Sequence, residues 1–539
     1  MSFRASRAAL PLSGGSQLSR GLLPGLIAIL FTAALVSCDS ATEPPMVEAE
    51  GTRYVGLEQA SGVQAFLGIP FAEPPVNDLR WERPVPIKGS LGEVNATQFM
   101  PACMQTGSGL AWYHGMMSRV GVDPSLMEGP EYSEDCLYLN VWTDSDYSEP
   151  KPVLVFIHGG SNTGGWSYEP NYHGSALAER GVVVVTVAYR LGVFGWLSHP
   201  DMTIQNAGLH DLIVALEWVK RNIEAFGGDS DRIVVSGESA GADNALHLAL
   251  APAMAGKLAG VIHQSAGWSV TSTLKPEGGF ALGEALVAHH FGADGSFADL
   301  KQISAAELLE SQLELFSDHY FSPIPDPETL PVSLQETMAG DLFPALTLIL
   351  GSNRNESLMY IPEDAVLTNY LEGYFPPETW DDIKVMLGAD LSELAQMDRL
   401  RSAVQYTCPS LALAQAAQDA GGAAYVYRFD RVREDFDAIG AYHGAELPYV
   451  FDTHDAWIPT DVVDYQITNA LVDYWVAFLT NGSPNESESG DTETGRMIWP
   501  AWTQKHQALI VSDEVSAQTH PDAALCDFLN ATQVASARH

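Results

Sequence analysis

The sharpest chemical signal in the sequence is a serine between two glycines, in the stretch GESAG at residues 237–241. A strand-like run, residues 233–236, precedes it, and a helical pattern, residues 242–250, follows it. A serine on a tight strand-to-helix turn exposes its hydroxyl above a sheet, and only small residues fit two positions to either side. A serine that caps a helix is the alternative interpretation. The flanking strand and helix favour Ser239 as a nucleophile.

A serine nucleophile needs a base that removes its proton and an acid that orients the base. In hydrolases with this turn, the acid and then the histidine follow the serine along the chain. The chain has 15 histidines, so this order alone does not select one. Glu356 follows a strand-like run at 346–350, and His443 follows another that ends at Phe429. Sites on open α/β sheets form where loops leave the carboxyl ends of strands, so both are candidates, with ordinary surface residues as the alternative.

Acyl transfer at a serine also requires N–H donors for the oxyanion of the tetrahedral intermediate. The residue after the nucleophile, Ala240, supplies one such donor in hydrolases of this type. The loop of Gly159, Gly160 and Ser161 directly follows the strand-like run at 153–158 and could supply the others. An ordinary glycine turn is the alternative, but the position after a strand favours the functional interpretation.

Short β-branched runs alternate with helical patterns from residue 153 onward. The runs at 153–158 and 182–187 are continuously apolar, as expected of strands that are buried on both faces of a sheet. Between residues 209 and 226, apolar residues recur at spacings of three and four, which indicates a helix. Residues 270–420 contain mainly amphipathic helical patterns that would cover one end of the sheet. The alternation predicts an α/β protein with a doubly wound, mostly parallel sheet.

The composition and charge exclude several classes of protein. The chain has 539 residues, of which 46% are hydrophobic, so it is not disordered. It carries 68 acidic and 27 basic side chains, for a formal charge of −41. Such a surface repels phosphate backbones, so no nucleic-acid partner is expected, although a merely soluble or salt-adapted surface is the plainer interpretation. The same field favours neutral or cationic substrates, unless arginines such as Arg354 reverse the local sign.

The N-terminal segment, residues 1–37, resembles a bacterial lipoprotein signal peptide. It contains three arginines and an apolar run that is too short for a comfortable membrane span. The sequence Leu-Val-Ser-Cys then ends at Cys38, which would carry the lipid chains after cleavage; an unmodified thiol is the alternative. Residues 38–50 predict a flexible tether, and residues 531–539 a C-terminal tail. We therefore expect export to the bacterial cell envelope and membrane anchoring on the periplasmic or surface face.

Four further cysteines, at positions 103, 136, 408 and 526, could form two disulfides in an oxidising compartment. Three pairings are possible, and the spacing alone does not choose among them.

Several further motifs occur in a fixed order along the chain. They include FLGIPFAEPP at 66–75, SEDCLYLNV at 133–141, NRNES at 353–357 and YHGAELPY at 442–449. Together with GESAG, they resemble the type-B carboxylesterase family of cholinesterase-like α/β-hydrolases, over nearly all of residues 50–530. The resemblance implies one α/β-hydrolase domain over residues 51–530, with helical insertions above the active site.

The resemblance also implies a function. The expected reaction is the hydrolysis of a small carboxylic ester through an acyl-enzyme, with no metal and no organic cofactor. The implied roles are nucleophile, base and acid for Ser239, His443 and Glu356, and oxyanion hole for Gly159, Gly160, Ser161 and Ala240. The implied disulfides are Cys103–Cys136 and Cys408–Cys526. An unperturbed histidine base predicts activity that rises with pH at an apparent pKa of about 6 to 7.

Two alternatives remain at this point. Some members of the family keep the fold without the triad and act as binding or adhesion modules, but here all three triad positions are intact. A lyase or transferase that uses the same serine turn is the other alternative.

The sequence departs from the family pattern at several positions. Ser161 and Asn162 replace the usual small and apolar residues of the oxyanion loop, which predicts a more polar wall beside the acyl group. Asn355 and Ser357 replace an aspartate and a glycine beside the candidate acid. Trp112 lies between Cys103 and Cys136 but does not match the spacing of the ammonium-binding tryptophan, so we predict a packed aromatic residue.

Overall fold

The computed structural model describes residues 43–271, 274–340, 342–362, 364–454, 457–485 and 496–532. The predicted signal peptide and Cys38 lie outside the described residues, as do residues 533–539 of the predicted tail. From Pro44 onward, the described residues form one compact unit. No helix in the described part of the chain is long and apolar enough to span a bilayer.

The strands of the described residues have the following bounds. They are β1 Met46–Ala49, β2 Thr52–Val55, β3 Leu57–Glu58, β4 Gln64–Pro70, β5 Glu93–Asn95, β6 Ala102–Cys103, β7 Tyr132–Ser133, β8 Tyr138–Thr143, β9 Lys151–Ile157, β10 Val183–Val187, β11 Gly228–Glu238, β12 Gly260–Gln264, β13 Thr347–Asn353, β14 Ala423–Phe429, β15 Gln507–Val511 and β16 Val515–Thr519.

The α-helices of the same residues lie mainly between these strands. They are α1 Ser108–Arg119, α2 Ser175–Glu179, α3 Gly192–Gly195, α4 Ala207–Asn222, α5 Ala240–Leu250, α6 Trp268–Thr271, α7 Pro276–Phe291, α8 Ala305–Phe316, α9 Leu334–Ala339, α10 Leu367–Tyr374, α11 Trp380–Gly388, α12 Glu393–Ser402, α13 Cys408–Asp419, α14 Leu447–Val450, α15 Val462–Asn481 and α16 Ala523–Thr532.

One sheet of eleven strands dominates the described structure, in the order β16-β15-β14-β13-β12-β11-β9-β10-β8-β4-β3. The seven strands from β15 to β10 in this order run parallel to one another. Antiparallel strands extend the sheet at both edges. The predicted α/β fold with a mostly parallel central sheet is therefore confirmed.

The central strands form where the sequence is apolar and β-branched. Every residue of β10 is buried, and so is every residue of β9 after Lys151. Two layers of apolar side chains cover the opposite faces of the sheet and account for this burial. The predicted helix at 209–226 is observed as α4 and a following 3-10 turn, which ends where Gly227 adopts a φ of 81°.

The tether prediction is wrong for its last residues. Residues 46–49 form β1, which pairs with β2 in an antiparallel arrangement. Val47 and Ala49 are buried whereas Met46 and Glu48 are exposed, an alternation that is typical of a half-buried strand. The folded domain therefore begins at or before Met46, and not at residue 51 as predicted.

The predicted helical region, residues 270–420, contains α7 to α13 and, as expected, the single strand β13 within its described part. Between α12 and α13, residues 403–407 form a π-helical turn.

Both disulfides implied by the family resemblance are present. The first joins Cys103 to Cys136, and the second joins Cys408, at the start of α13, to Cys526 in α16. The second bond ties the C-terminal helix to the helical region across a separation of 118 residues.

Candidate active site

Ser239 lies at the turn between β11 and α5, with φ 56° and ψ −131°. This conformation is strained for a residue with a side chain, and such strain is common at functional sites. The neighbouring glycines explain the GESAG pattern. A Cβ atom at Gly237 would collide with the backbone of Gly241, and a Cβ atom at Gly241 would collide with the carbonyl oxygen of Ile157. The turn therefore requires the small residues that the sequence provides.

His443 and Glu356 contact each other, as the sequence analysis expects. His443 Nδ1 lies 2.6 Å from Glu356 Oε2, and Glu356 is fully buried. The other carboxylate oxygen of Glu356 accepts a hydrogen bond of 2.6 Å from the backbone N–H of Asn353, the last residue of β13. Glu356 is therefore held at the end of β13. It contacts Nδ1 of the imidazole, which in a serine hydrolase is the nitrogen that faces away from substrate.

Most of the predicted site residues line one cavity of about 790 Å³. Ser239, His443, Gly159, Gly160 and Ser161 all line it. Glu356 lies behind His443, and Ala240 is the first residue of α5. The structure therefore brings together all of the residues that the sequence analysis assigns to catalysis and to the oxyanion hole, at the carboxyl ends of neighbouring strands.

The oxyanion loop approaches the serine closely. A Cβ atom at Gly159 would lie 2.9 Å from the Cβ atom of Ser239, so this close approach requires glycine. Gly160, Ser161 and Asn162 follow with positive φ angles of 100°, 57° and 58°. Three successive residues in this conformation turn the chain sharply and keep its backbone beside the nucleophile.

The prediction of a more polar wall holds for Ser161 but is wrong for Asn162. Asn162 is buried and its side chain points into the protein. Its amide donates to the carbonyl oxygen of Phe321 at 2.9 Å, and its Oδ1 accepts from Asn244 at 2.8 Å. Asn162 therefore connects the oxyanion loop to α5 and to the segment after α8.

Glu238, the residue before the nucleophile, is a site residue that the sequence analysis did not identify. Its Oε1 lies 3.2 Å from His443 Nε2, on the nitrogen opposite Glu356. Burial raises the pKa of Glu238 to about 8. Burial alone would lower the pKa of His443, but the charges of Glu238 and Glu356 outweigh it and raise this pKa to about 9. The sequence offers one indication of this residue, its place beside Ser239 in GESAG. Only the fold shows that its side chain reaches His443.

Buried hydrogen bonds hold the acid and the histidine loop in place. Asn353 donates from its side chain to Glu446 at 2.6 Å, and Gln264 donates to the same carboxylate at 3.1 Å. Asn355 accepts from the backbone N–H of Ala441 at 3.0 Å and donates to Asp398 at 2.7 Å. Asn355, where the family has an aspartate, therefore links the acid's turn to the loop that carries His443.

Aromatic side chains form much of the remaining cavity wall. Trp112 donates to the hydroxyl of Tyr360 at 2.7 Å, and the ring of Tyr406 lies 5.1 Å from that of His443. Tyr406 belongs to the π-helical turn, an irregularity that is frequent at functional sites. Trp112 also packs against Tyr113, so it is a packed aromatic residue, as predicted, and at the same time part of the wall.

The two carboxylates at His443 change the expected pH dependence. If His443 is the base, its protonated imidazole cannot accept the serine proton, so activity should be lost as the pH falls through the pKa of His443. We expect kcat/KM for a neutral ester to rise with a midpoint well above 6.5, rather than at about 6 to 7. In Glu238→Gln one negative charge is gone, so the midpoint should fall by about one pH unit or more.

The control for this measurement is Glu310→Gln, which removes the same charge from an exposed position on α8. Its pH profile should match that of the native enzyme. A Glu238→Gln profile that also matches the native one would show that Glu238 does not act on His443.

Comparisons with known proteins agree with this geometry. The model of the carboxylesterase family matches residues 44–374 and 384–529. The para-nitrobenzyl esterase of Bacillus subtilis (strain 168) is 30% identical over 490 residues, which cover 86% of this chain and 94% of that protein. Carboxylesterase 1C of Rattus norvegicus is 29% identical over 520 residues, covering 88% and 92%. A solved structure of a PNB esterase superposes with a TM-score of 0.73 at 29% identity, over 90% of this chain and 99% of that one.

Proposed function

Because this chain belongs to the carboxylesterase family and is a serine hydrolase of carboxylic esters, we propose that Ser239, His443 and Glu356 are its catalytic triad. The observation that carries this proposal is the 2.6 Å contact between His443 Nδ1 and Glu356 Oε2, in a cavity that Ser239 also lines. The esterase relatives favour an enzyme over the alternative of an inactive binding module.

In the proposed mechanism, Ser239 Oγ attacks the ester carbonyl carbon and His443 Nε2 takes the hydroxyl proton. Glu356 accepts a hydrogen bond from Nδ1–H and stabilises the imidazolium that forms. The tetrahedral intermediate collapses, His443 returns the proton to the leaving alkoxide, and the alcohol departs. Water then attacks the acyl-enzyme by the same route and releases the carboxylic acid.

The backbone N–H groups of Gly159, Gly160 and Ala240 are the proposed oxyanion donors, and Ser161 completes the loop. The support for this assignment is the close approach of Gly159 to Ser239 and the position of Ala240 at the start of α5. An N-terminal helix end also favours negative charge, which reinforces the donor at Ala240.

A burst experiment tests the acyl-enzyme. With 4-nitrophenyl acetate in excess, 4-nitrophenol should appear in a rapid phase of about one equivalent per active enzyme, followed by slower steady turnover. After acid quenching during turnover, the intact mass should show one added acetyl group. Peptide mapping should place that group on the peptide that contains Ser239. An acetyl group on another residue, in an enzyme that turns over the ester, would contradict the assignment.

We also propose that the mature protein is a lipoprotein of the bacterial cell envelope. The support is the order of three arginines, an apolar run and Leu-Val-Ser-Cys38 in the sequence. Stable anchoring needs more than one lipid chain, which lipidation of an N-terminal cysteine supplies.

Expression in a bacterium that lipidates exported proteins tests the anchor. The native protein should fractionate with membranes, with an intact mass that begins at a lipidated Cys38. Cys38→Ser should lack the lipid and leave the membrane fraction. An unmodified N-terminus at another residue in the native protein would refute the proposal.

A further inference from the structure

Most arginines of the described residues are paired with a carboxylate, as expected in so acidic a protein. Three are not: Arg119, Arg354 and Arg401 lack a carboxylate within ion-pairing distance among the described residues. All three lie beside the chain that follows β13. Arg354 precedes Glu356, whereas Arg119 and Arg401 approach the carbonyl oxygens of Met359 and Tyr360.

Of these three, Arg401 is the one that reaches the active site. It lies near the end of α12 and lines the catalytic cavity. It also lines a second cavity of about 340 Å³, whose wall includes Val366, Tyr370, Tyr374 and Met397. No other arginine or lysine of the described residues lines either cavity. Arg401 therefore stands at the boundary between the catalytic cavity and a neighbouring groove.

The donors at this boundary are incompletely used by the protein. Arg401 Nη1 lies 3.5 Å from the carbonyl oxygen of Tyr360, which is a long contact. Arg401 Nε is buried and has no protein acceptor, and the same is true of the Tyr370 hydroxyl. Buried donors are nearly always paired in folded proteins. Both donors are enclosed in this structure, but both side chains line the groove, so a small side-chain shift on binding would bring them to an acceptor of the bound molecule.

The charge around Arg401 favours an anion, in spite of the overall charge of the chain. Glu238 and Glu169 line the catalytic cavity, but burial raises their pKa values to about 8 and about 7. The charge of Glu238 is matched by that of His443, 3.2 Å away, and Glu169 is only partly ionised near neutral pH, so both carboxyl groups repel an anion weakly. Asp318 and Asp364 line the two cavities at exposed positions, where water screens their charge.

We propose that Arg401 binds a carboxylate of the substrate, so that this enzyme acts on esters that carry a free carboxylate away from the scissile bond. The guanidinium suits this role because its planar N–H groups match a carboxylate in geometry as well as in charge. The scissile ester lies at Ser239, and the remote carboxylate lies where the catalytic cavity meets the groove. This substrate class rests on the proposed function of the same site.

The test compares matched esters that differ in one charge. The probes are 4-nitrophenyl monoesters of linear dicarboxylic acids, from glutarate to suberate, and the same compounds with the free carboxylate blocked as a methyl ester. We expect kcat/KM for the best anionic ester to exceed that of its methylated partner by about tenfold or more at low salt. Added salt should reduce this ratio, because it screens the interaction.

Variants assign the preference to Arg401. Arg401→Gln should bring the ratio of kcat/KM for the anionic ester to that for the neutral ester to about one or below. Arg401→Lys should give an intermediate ratio, because lysine keeps the charge but lacks the planar N–H groups of the guanidinium. Arg354→Gln is the matched control: it removes the same charge from an exposed position outside both cavities and should keep the native ratio. If Arg401→Gln fails to fold, Tyr370→Phe should still lower the ratio.

The outcomes separate this inference from the proposed function. A native preference for the neutral ester, as the net charge of −41 would predict, overturns the inference, and so does an anionic preference that survives in Arg401→Gln. Both results leave the triad intact as long as turnover of the neutral ester depends on Ser239. Loss of that dependence would instead overturn the proposed function.

Discussion

Ser239→Ala should lower kcat for 4-nitrophenyl esters by about 10⁵ to 10⁶-fold, the loss expected when a triad member is removed. In the proposed mechanism the hydroxyl forms the covalent bond to the acyl group, and an alanine side chain has no nucleophile for that step. His443→Ala should lose a comparable factor, because the members of the proposed triad would act as a unit. The two losses should not add in the double variant.

The same substitution should leave the fold intact. Ser239 donates its backbone N–H to the carbonyl oxygen of Gln264 at 2.9 Å, and alanine keeps that bond. The thermal unfolding midpoint should therefore change by a few degrees at most, which separates chemical loss from misfolding. Turnover by Ser239→Ala within tenfold of the native rate would refute the proposed mechanism.

Glu356→Gln should reduce kcat by about 10⁴-fold, by analogy with the loss of the triad carboxylate in other serine hydrolases. The glutamine amide keeps the shape of the side chain but has no negative charge. It also offers an N–H donor to Nδ1, which favours the tautomer that carries the proton on Nε2. That tautomer cannot accept a proton from Ser239.

Glu446→Gln is the matched control for this variant. Glu446 is also a buried glutamate in the same network, but among the described residues its side chain accepts hydrogen bonds from Asn353, Gln264 and Tyr427 rather than contacting His443. We expect a loss of less than about tenfold in kcat from this change. Comparable losses in the two variants would show that the network acts through its total charge and not through the contact between Glu356 and the imidazole.

Much of the fold and of the candidate site is predictable from local patterns. The runs at 153–158 and 182–187 are continuous and apolar, and a strand that is buried on both faces of a sheet is the simplest structure that removes all of their side chains from water. Ser239 is identifiable because its turn constrains both neighbouring glycines by direct collision. Glu356 and His443 are not identifiable by pattern alone, and the family resemblance selected them among many candidates.

The residues that the sequence analysis missed depend on how distant loops pack. Glu238 has no local signal beyond its place in the motif, because its contact with His443 spans β11 and the loop after β14. Asn162 was assigned to the cavity wall, but its bonds to Phe321 and Asn244 turn it inward. Nothing in the sequence distinguishes Arg401 from the other arginines. Its position near the end of α12, between two cavities, is visible only in the structure. The predicted start of the domain, residue 51, is too late. The alternation of exposed and buried residues in β1 covers only four residues, and the prolines and acidic residues around it are typical of a flexible segment.

The three residues of the proposed triad lie after three different strands, which affects when activity is acquired during folding. Ser239, Glu356 and His443 follow β11, β13 and β14, and the acid and the base are 87 residues apart in the chain. Contacts this remote in sequence form slowly, because the entropy of the intervening loop is lost before they are gained. β12 must also pair between β11 and β13 before the three loops can meet. Esterase activity should therefore appear only in the last phase of refolding, after most helical signal has returned, and no nascent chain that ends before β14 can be active.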